Sequence, residues 1–455
     1  MRPRTRELAV SYNPGAQLLV AGLIGVALGV AVLWAPLSWV LGLAALGALA
    51  MAALLRADVV LLAVVIATST IVPEGLLPAV DTPVGTFYAP DVIILALFVA
   101  LAVRWLFQAD HTAVRTPLDV PLLAFYGVAL AGVAAAVARE DVALTTGLRE
   151  VRIVTYYLTF FAVTQLVRRD PQRRALLDGL MLAATVVAAA MLAQYAVGPS
   201  VALLPGRVET LFTEGAQHTG VTRILPPGQS LILAGLVLQT VTLAQRPLSP
   251  GRLVGYARWG LFALAVLLTF NRSYWVAVVV SLSVLVALLA VEERRRLLAW
   301  GLVTLAGAVV LVLALALHPG SRGGRLMAAS LDRIDSLGRA ETFWTPGSSF
   351  GWRGVEYEYA LPQLTARPIL GLGLGTEYRP WDGRLDSETF DGRWYLHNAH
   401  LWIALKTGWL GYACLFWLSS LFLFRSLRLW RRVDDPTGRA TVLGTGALYA
   451  GILVA

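Results

Sequence analysis

The feature that most constrains this chain is a series of apolar runs, each long enough to cross a bilayer, separated by short arginine-bearing stretches. A membrane-spanning helix needs about 20 mostly apolar residues. In hydrocarbon every backbone N–H and C=O must find a partner inside its own segment, so such runs fold as helices and not as open strands. Thirteen candidate spans are readable, at about 16–34, 37–55, 59–72, 91–107, 120–138, 153–167, 175–197, 229–245, 254–270, 275–291, 297–317, 399–424 and 440–455. The runs at 59–72 and 153–167 are short, which predicts tilted, broken or interfacial helices. The expected fold class is therefore all-α, a single polytopic membrane domain over 1–455 with about 12–13 spans.

Composition agrees. Charged residues make up 14% of the chain, against roughly 25% in soluble proteins. The single cysteine, Cys414, excludes an intrachain disulfide and a cysteine zinc site. The first apolar run continues into the second without a small-residue cleavage site, which predicts a retained helix and no signal peptide. The last run reaches Ala455 with no polar flank, so the native chain is expected to extend further or the last helix to be incomplete. There is no internal repeat and no linker between soluble domains. The net charge of +9 does not indicate nucleic acid, because the basic residues, all arginine except Lys406, are scattered over the connections between spans.

Their distribution fixes an expected orientation. With a cytoplasmic N-terminus, alternate connections carry most of the arginines, among them Arg56, Arg104, Arg168, Arg169, Arg294, Arg295, Arg296, Arg431 and Arg432. The short outer connections hold only Arg139, Arg149, Arg152, Arg207 and Arg223. This obeys the positive-inside rule and makes 318–397 a large extracytoplasmic loop. Such a loop is far longer than a connection requires. Its aromatic residues, including Trp344, Trp352, Tyr357, Tyr359, Trp381, Trp394 and Tyr395, argue for order, since disordered segments are poor in aromatics.

The polar residues that could carry chemistry crowd on that face. Arg272, in Thr269–Phe270–Asn271–Arg272–Ser273–Tyr274–Trp275, has apolar sequence on both sides. A charge there is costly unless solvated or paired, so it either snorkels to the interface or binds an anion. Arg223 lies shortly before Pro226–Pro227 and the span at 229, as an ordinary loop arginine or a second anion ligand. Arg353 opens a segment with apolar Trp352, Val355 and Tyr359 at helical spacing, which predicts an amphipathic helix over 352–366. Arg353, Glu356 and Tyr357 would share another face of it, as a solvated ion pair or as part of a site. Gly371, Gly373 and Gly375 lack the strand and βαβ context of a dinucleotide loop and predict a tight turn packed on helices. His397 and His400 stand at the start of an apolar helix. Two histidines are too few for a metal site, and Asp386, Glu388 and Asp391 show no ligand spacing, so an acid/base or hydrogen-bonding histidine fits better, with a structural interfacial histidine as the alternative.

Together these pieces resemble the bacterial O-antigen ligase and O-antigen polymerase superfamily over about 210–415. The family pattern has an arginine after an external loop, a second in a Ser/Asn-Arg-small motif, and a large periplasmic loop. That loop contains an arginine helix, a Pro-x-x-Gly-x-Gly turn and a His-Asn pair before a helix with Gly-x-x-Gly. Here those are Arg223, Asn271–Arg272–Ser273, Arg353, Pro368–Ile369–Leu370–Gly371–Leu372–Gly373, His397–Asn398 and Gly408–Trp409–Leu410–Gly411. The sequence departs from the pattern at Lys406, where an acidic residue is common, and at Asn271, where Ser or Thr is frequent. The resemblance implies an inverting, metal-independent glycosyltransferase without cofactors in the bacterial inner membrane. Its donor would be a glycan on undecaprenyl diphosphate and its acceptor a glycan, lipid or protein hydroxyl. It implies His397 as catalytic base, with Arg223, Arg272, Arg353 and Asn398 binding the diphosphate or positioning the loop. The alternative from another class is a transporter or flippase for an anionic lipid or solute. That class should show midplane charges and a repeat across two halves, and neither is evident.

Overall fold

The computed structural model describes residues 37–69, 71–72, 77, 79–82, 85–107, 113–201, 203, 205–213, 216–245, 253–318, 320–335, 349–386 and 391–455. The candidate span at 16–34 lies outside the described residues. Every later candidate run is helical: α1 (Leu37–Leu55), α2 (Ala57–Thr68), α3 (Ala89–Phe107), α4 (Asp119–Ala138), α5 (Leu144–Thr155), α6 (Thr159–Leu166), α7 (Asp170–Val197), α8 (Gln229–Ala244), α9 (Leu253–Leu268), α10 (Arg272–Leu288), α11 (Val291–Ala316), α14 (Ala399–Leu429) and α15 (Pro436–Val454). Two further helices, α12 (Arg322–Asp335) and α13 (Ser349–Ala366), fall in the long loop. Among the described residues α3, α4, α7, α11 and α14 are long and apolar enough to cross a membrane. The protein is an all-α polytopic membrane protein.

Two antiparallel hairpins interrupt the helices: β1 (Ala79–Thr82) with β2 (Gly85–Tyr88), and β3 (Arg207–Thr213) with β4 (Ala216–Leu225). The apolar-run reading did not anticipate them, because a short hairpin satisfies its backbone in pairs and needs no long apolar stretch. The short run at 153–167 is indeed broken: α5 and α6 are joined by a 3-10 turn at Tyr156–Leu158.

The chain divides into two compact units. The first takes residues up to Gly179 with Arg367–Thr376 and Ile403–Leu415. Its core interleaves alanines with larger aliphatic residues, with Ala53, Ala57, Ala96, Ala100 and Ala162 among Leu61, Leu97 and Leu166. Small residues let helix backbones approach closely, the main source of packing energy between helices in lipid. The same unit contains the glycine turn, which docks into a break in α14. At Gly408 the backbone turns to φ 68°, ψ 179°. The break removes two helical bonds, and the turn replaces them with four. Leu372 and Gly373 N–H groups donate to the carbonyls of Leu405 and Lys406 at 2.9 and 3.0 Å. Trp409 and Leu410 N–H groups donate to Pro368 and Ile369 at 2.7 and 3.3 Å. The Pro-x-x-Gly-x-Gly turn and the Gly-x-x-Gly helix are thus one structural device. Lys406, buried at 0% exposure, donates its Nζ to the carbonyl of Thr376 within it.

The second unit holds Leu180–Ala366, Glu377–Trp402 and Phe416–Ala455. Its core joins α8, α10 and α15 through Val237, Val241, Leu285, Leu443 and Ala447. Gly451 of α15 sits directly against the Ala277 carbonyl of α10, with no room for a Cβ.

Candidate functional site

The site in the second unit is built on the corner between α9 and α10. Thr269 Oγ1 donates to Val266 O at 2.7 Å and accepts from Asn271 N at 3.1 Å. Phe270 adopts φ +49°, an uncommon conformation for a bulky residue. It is held there by complete burial of its ring among Leu211 and Val221 of the hairpin and Ala329 of α12. Two arginines from other elements fix the corner's carbonyls: Arg223 Nε donates to Thr269 O at 3.3 Å and Arg333 Nε to Phe270 O at 3.4 Å. Asn271 caps α10, its Oδ1 accepting from Ser273 N at 3.2 Å. Asn, Ser and Thr are all good N-caps, so the departure from the family's usual Ser or Thr preserves this job. Arg272 is then the first residue of α10. A cation there opposes the helix dipole, so helix stability does not explain it.

Arg223 does not lie in a loop, as the sequence suggested, but on β4 opposite Glu209. Its Nη1 is 3.3 Å from Glu209 Oε1, and Arg207 Nε reaches the other carboxylate oxygen at 2.7 Å. Burial pulls the Arg223 guanidinium below its ordinary value, Glu209 opposes this, and Arg207 and Arg272 add like charge. Arg223 and Arg272 are therefore within electrostatic reach of each other.

The second half of the site joins α13 to the start of α14. The helix carrying Arg353 begins earlier than the predicted 352–366 and buries a different face. Trp352 is 45% exposed, whereas Glu356, Ala360 and Leu364 are buried. A carboxylate can lie on the buried face because its hydrogen bonds are met. Glu356 Oε1 is 2.6 Å from His397 Nδ1, and Oε2 accepts from His397 N at 3.1 Å. His397 itself remains 37% exposed, with the Tyr395 ring edge-on at 5.1 Å. Arg353 lies within electrostatic reach of Tyr395. Asn398 caps α14, Oδ1 accepting from Leu401 N at 3.1 Å, and donates Nδ2 to Tyr357 Oη at 2.8 Å. His400 turns away: its Nε2 donates to the Leu453 carbonyl at 3.1 Å. The two histidines do not converge on a shared point.

The loop before His397 is closed by a buried ion pair. Arg379 Nη1 and Nη2 bind Asp386 at 2.5 and 2.7 Å, with side-chain exposures of 1% and 0%. Asp386 also accepts from the backbone of Asp382 at 3.0 Å and Gly392 at 2.9 Å. The Arg379 guanidinium holds the Asp386 carboxyl well below the usual carboxylate range.

Arg272 begins α10 and His397 directly precedes the Asn398 cap of α14, and both helices meet the same partner end. α10 packs on the last turns of α15 at Gly451, and α14 reaches Leu453 through His400. Sequence reading missed Glu209, Arg333 and the Arg379–Asp386 pair, whose partners are set by tertiary contacts or loop folding and not by any motif. Glu356 was visible only as a neighbour of Arg353.

These features define a multi-pass helical membrane protein whose second unit holds an arginine pair at the α9–α10 corner and a half-exposed histidine backed by a buried carboxylate at the start of α14. Residues 259–416 match the family model described as O-antigen ligase, so the chain carries a domain of that family and the match supports glycan ligation of the O-antigen ligase type. The matched stretch includes Arg272, Arg353, both glycine motifs and His397–Asn398, while Arg223 precedes it. No curated protein matches the chain.

Proposed function

We propose that the protein is an inverting glycosyltransferase of the bacterial inner membrane. It takes a glycan from undecaprenyl diphosphate and passes it to a hydroxyl on the extracytoplasmic face. The acceptor oxygen attacks the anomeric carbon, and the bond from that carbon to the diphosphate oxygen breaks. The acceptor proton goes to His397 Nε2, and the polyprenyl diphosphate leaves as the anion. Arg272, with Arg353, meets the charge that builds on the diphosphate, since guanidinium forks bind phosphate oxygens bidentately. These fixed cations serve where other glycosyl transfers use a metal ion. Arg223, bonded to Thr269 O and Glu209, shapes the Arg272 corner and adds positive potential. Asn398 positions the start of α14 through its cap and Tyr357.

The observation that supports this reading is that α10, which opens on Arg272, and α14, which follows His397, both touch the last turns of α15 although their motifs are far apart in sequence.

The test is transfer from purified lipid-linked donor, with donor binding measured separately. His397→Ala is expected to lose about 10²–10⁴-fold in rate, the usual worth of a positioned general base, while still binding donor. His400→Ala should keep most activity, and transfer should survive EDTA. Near-normal turnover in His397→Ala, or abolition by EDTA with rescue by a divalent cation, would overturn the mechanism.

A further inference from the structure

We infer that Glu356 is a positioning residue for His397, holding the imidazole as its Nδ1–H tautomer with the Nε2 lone pair turned outward. The inference rests on the proposed role of His397 as base. Neither residue alone suggests it: they are 41 positions apart, on helices whose sequences give no sign that they meet.

Three observations support it. Both oxygens of one carboxylate engage the same residue, Oε1 the ring at 2.6 Å and Oε2 the backbone N–H at 3.1 Å. That fixes the ring plane relative to the backbone and leaves the imidazole little freedom to turn. Next, Glu356 is 3% exposed whereas the His397 side chain is 37% exposed. The carboxylate thus backs the ring from the protein side, and the far nitrogen is on the open side. Finally, an ionised carboxylate only accepts hydrogen bonds. At 2.6 Å from it, Nδ1 must carry the proton, so in the neutral ring Nε2 is the basic nitrogen. The hydrogen bond made by one imidazole nitrogen commonly sets the state of the other in this way. The surrounding groups are Arg353 and Tyr395, within electrostatic reach of each other, and Tyr378, whose phenol responds to Glu356.

The bland alternative is that Glu356 merely ties α13 to α14. Glu356→Gln separates the two roles. The glutamine has one acceptor oxygen for two N–H donors. If its amide NH₂ faces Nδ1, the proton moves to Nε2, which then cannot accept. A purely structural tie would tolerate the change or weaken the fold; a positioning residue would lower kcat and leave donor KM within a few-fold. We expect a kcat loss of about 10²–10⁴-fold, up to the loss produced by the wrong histidine tautomer in serine proteases.

Two further measurements make the result decisive. In the His397→Ala background, Glu356→Gln should add less than about 3-fold, because a residue acting only through His397 has nothing left to act on. Nitrogen-15 spectra of histidine-labelled full-length protein in nanodiscs, recorded above the ordinary imidazole range, should show His397 as the Nδ1–H tautomer. Its signal is assigned by its loss in His397→Gln, and Glu356→Gln should shift it toward Nε2–H. Unchanged kcat in Glu356→Gln, an equal further loss in the His397→Ala background, or an Nε2–H tautomer in the unaltered protein would each overturn the inference. Retained turnover in His397→Ala would instead overturn the base assignment, while the tautomer still decides whether Glu356 holds the ring.

Discussion

Replacing Gly408 by alanine tests whether the broken α14 and the glycine turn are one device. Gly408 has φ 68° and ψ 179°, a region that is essentially glycine-only and costs other residues about 1–3 kcal/mol. An added Cβ would also overlap the Ile369 carbonyl, so the turn must move. Closing α14 into a regular helix would restore two of its bonds but lose the four made with the turn. Two net bonds at roughly 0.5–1.5 kcal/mol each come to about 1–3 kcal/mol, so keeping the strained turn and closing the helix are alternative routes that each cost about 1–3 kcal/mol. The control is Gly354→Ala on α13, where no atom lies within 4 Å of the built Cβ and helix propensity should add up to about 1 kcal/mol of stability. The assay is denaturant unfolding of purified protein in detergent, followed by tryptophan fluorescence. Wild-type stability in Gly408→Ala, or equal damage in both variants, would refute the reasoning.

Further expectations concern topology, the arginine and the loop. In a Cys414→Ser background, Glu358→Cys and Gly383→Cys should react with an impermeant thiol reagent in intact spheroplasts and Asp434→Cys only after lysis; the reverse pattern would invert the site's face. Arg272→Ala should lose donor use without unfolding, and Arg272→Lys should recover only part of it, because lysine offers a point charge in place of a fork; full activity would exclude bidentate diphosphate binding there. Asp386→Asn leaves Arg379 buried without its counter-ion and should cost about 3–5 kcal/mol, read as faster proteolysis of the 377–396 loop. Because Arg379 depresses the Asp386 carboxyl, the pair's stabilisation is complete above about pH 4, the ordinary carboxylate value, and fades as pH falls below it toward the depressed value. Asp386→Asn should remove that acid dependence, and an unchanged acid limb would assign it to other groups.

The sequence by itself determined the spans. Length and apolarity are local, and hydrocarbon permits only segments that satisfy their own backbone, so each described run from residue 37 onward became helical. It also located the matched motif residues, whereas the capping roles of Asn271 and Asn398 emerged only from the structure. Helical periodicity was a poorer guide on α13, where Trp352, Val355 and Tyr359 were expected to form the apolar face and Glu356 to lie on another face with Arg353 and Tyr357. Periodicity reports which residues share a face, not which partner that face will meet, and a buried carboxylate becomes tolerable once His397 supplies its donors. Only the tertiary structure could decide that contact, along with Arg223 on Thr269, Arg333 on Phe270 and the glycine turn within the break at Gly408. Each depends on hydrogen-bonding groups brought together from distant parts of the chain, and their geometry is set by packing that no local pattern encodes.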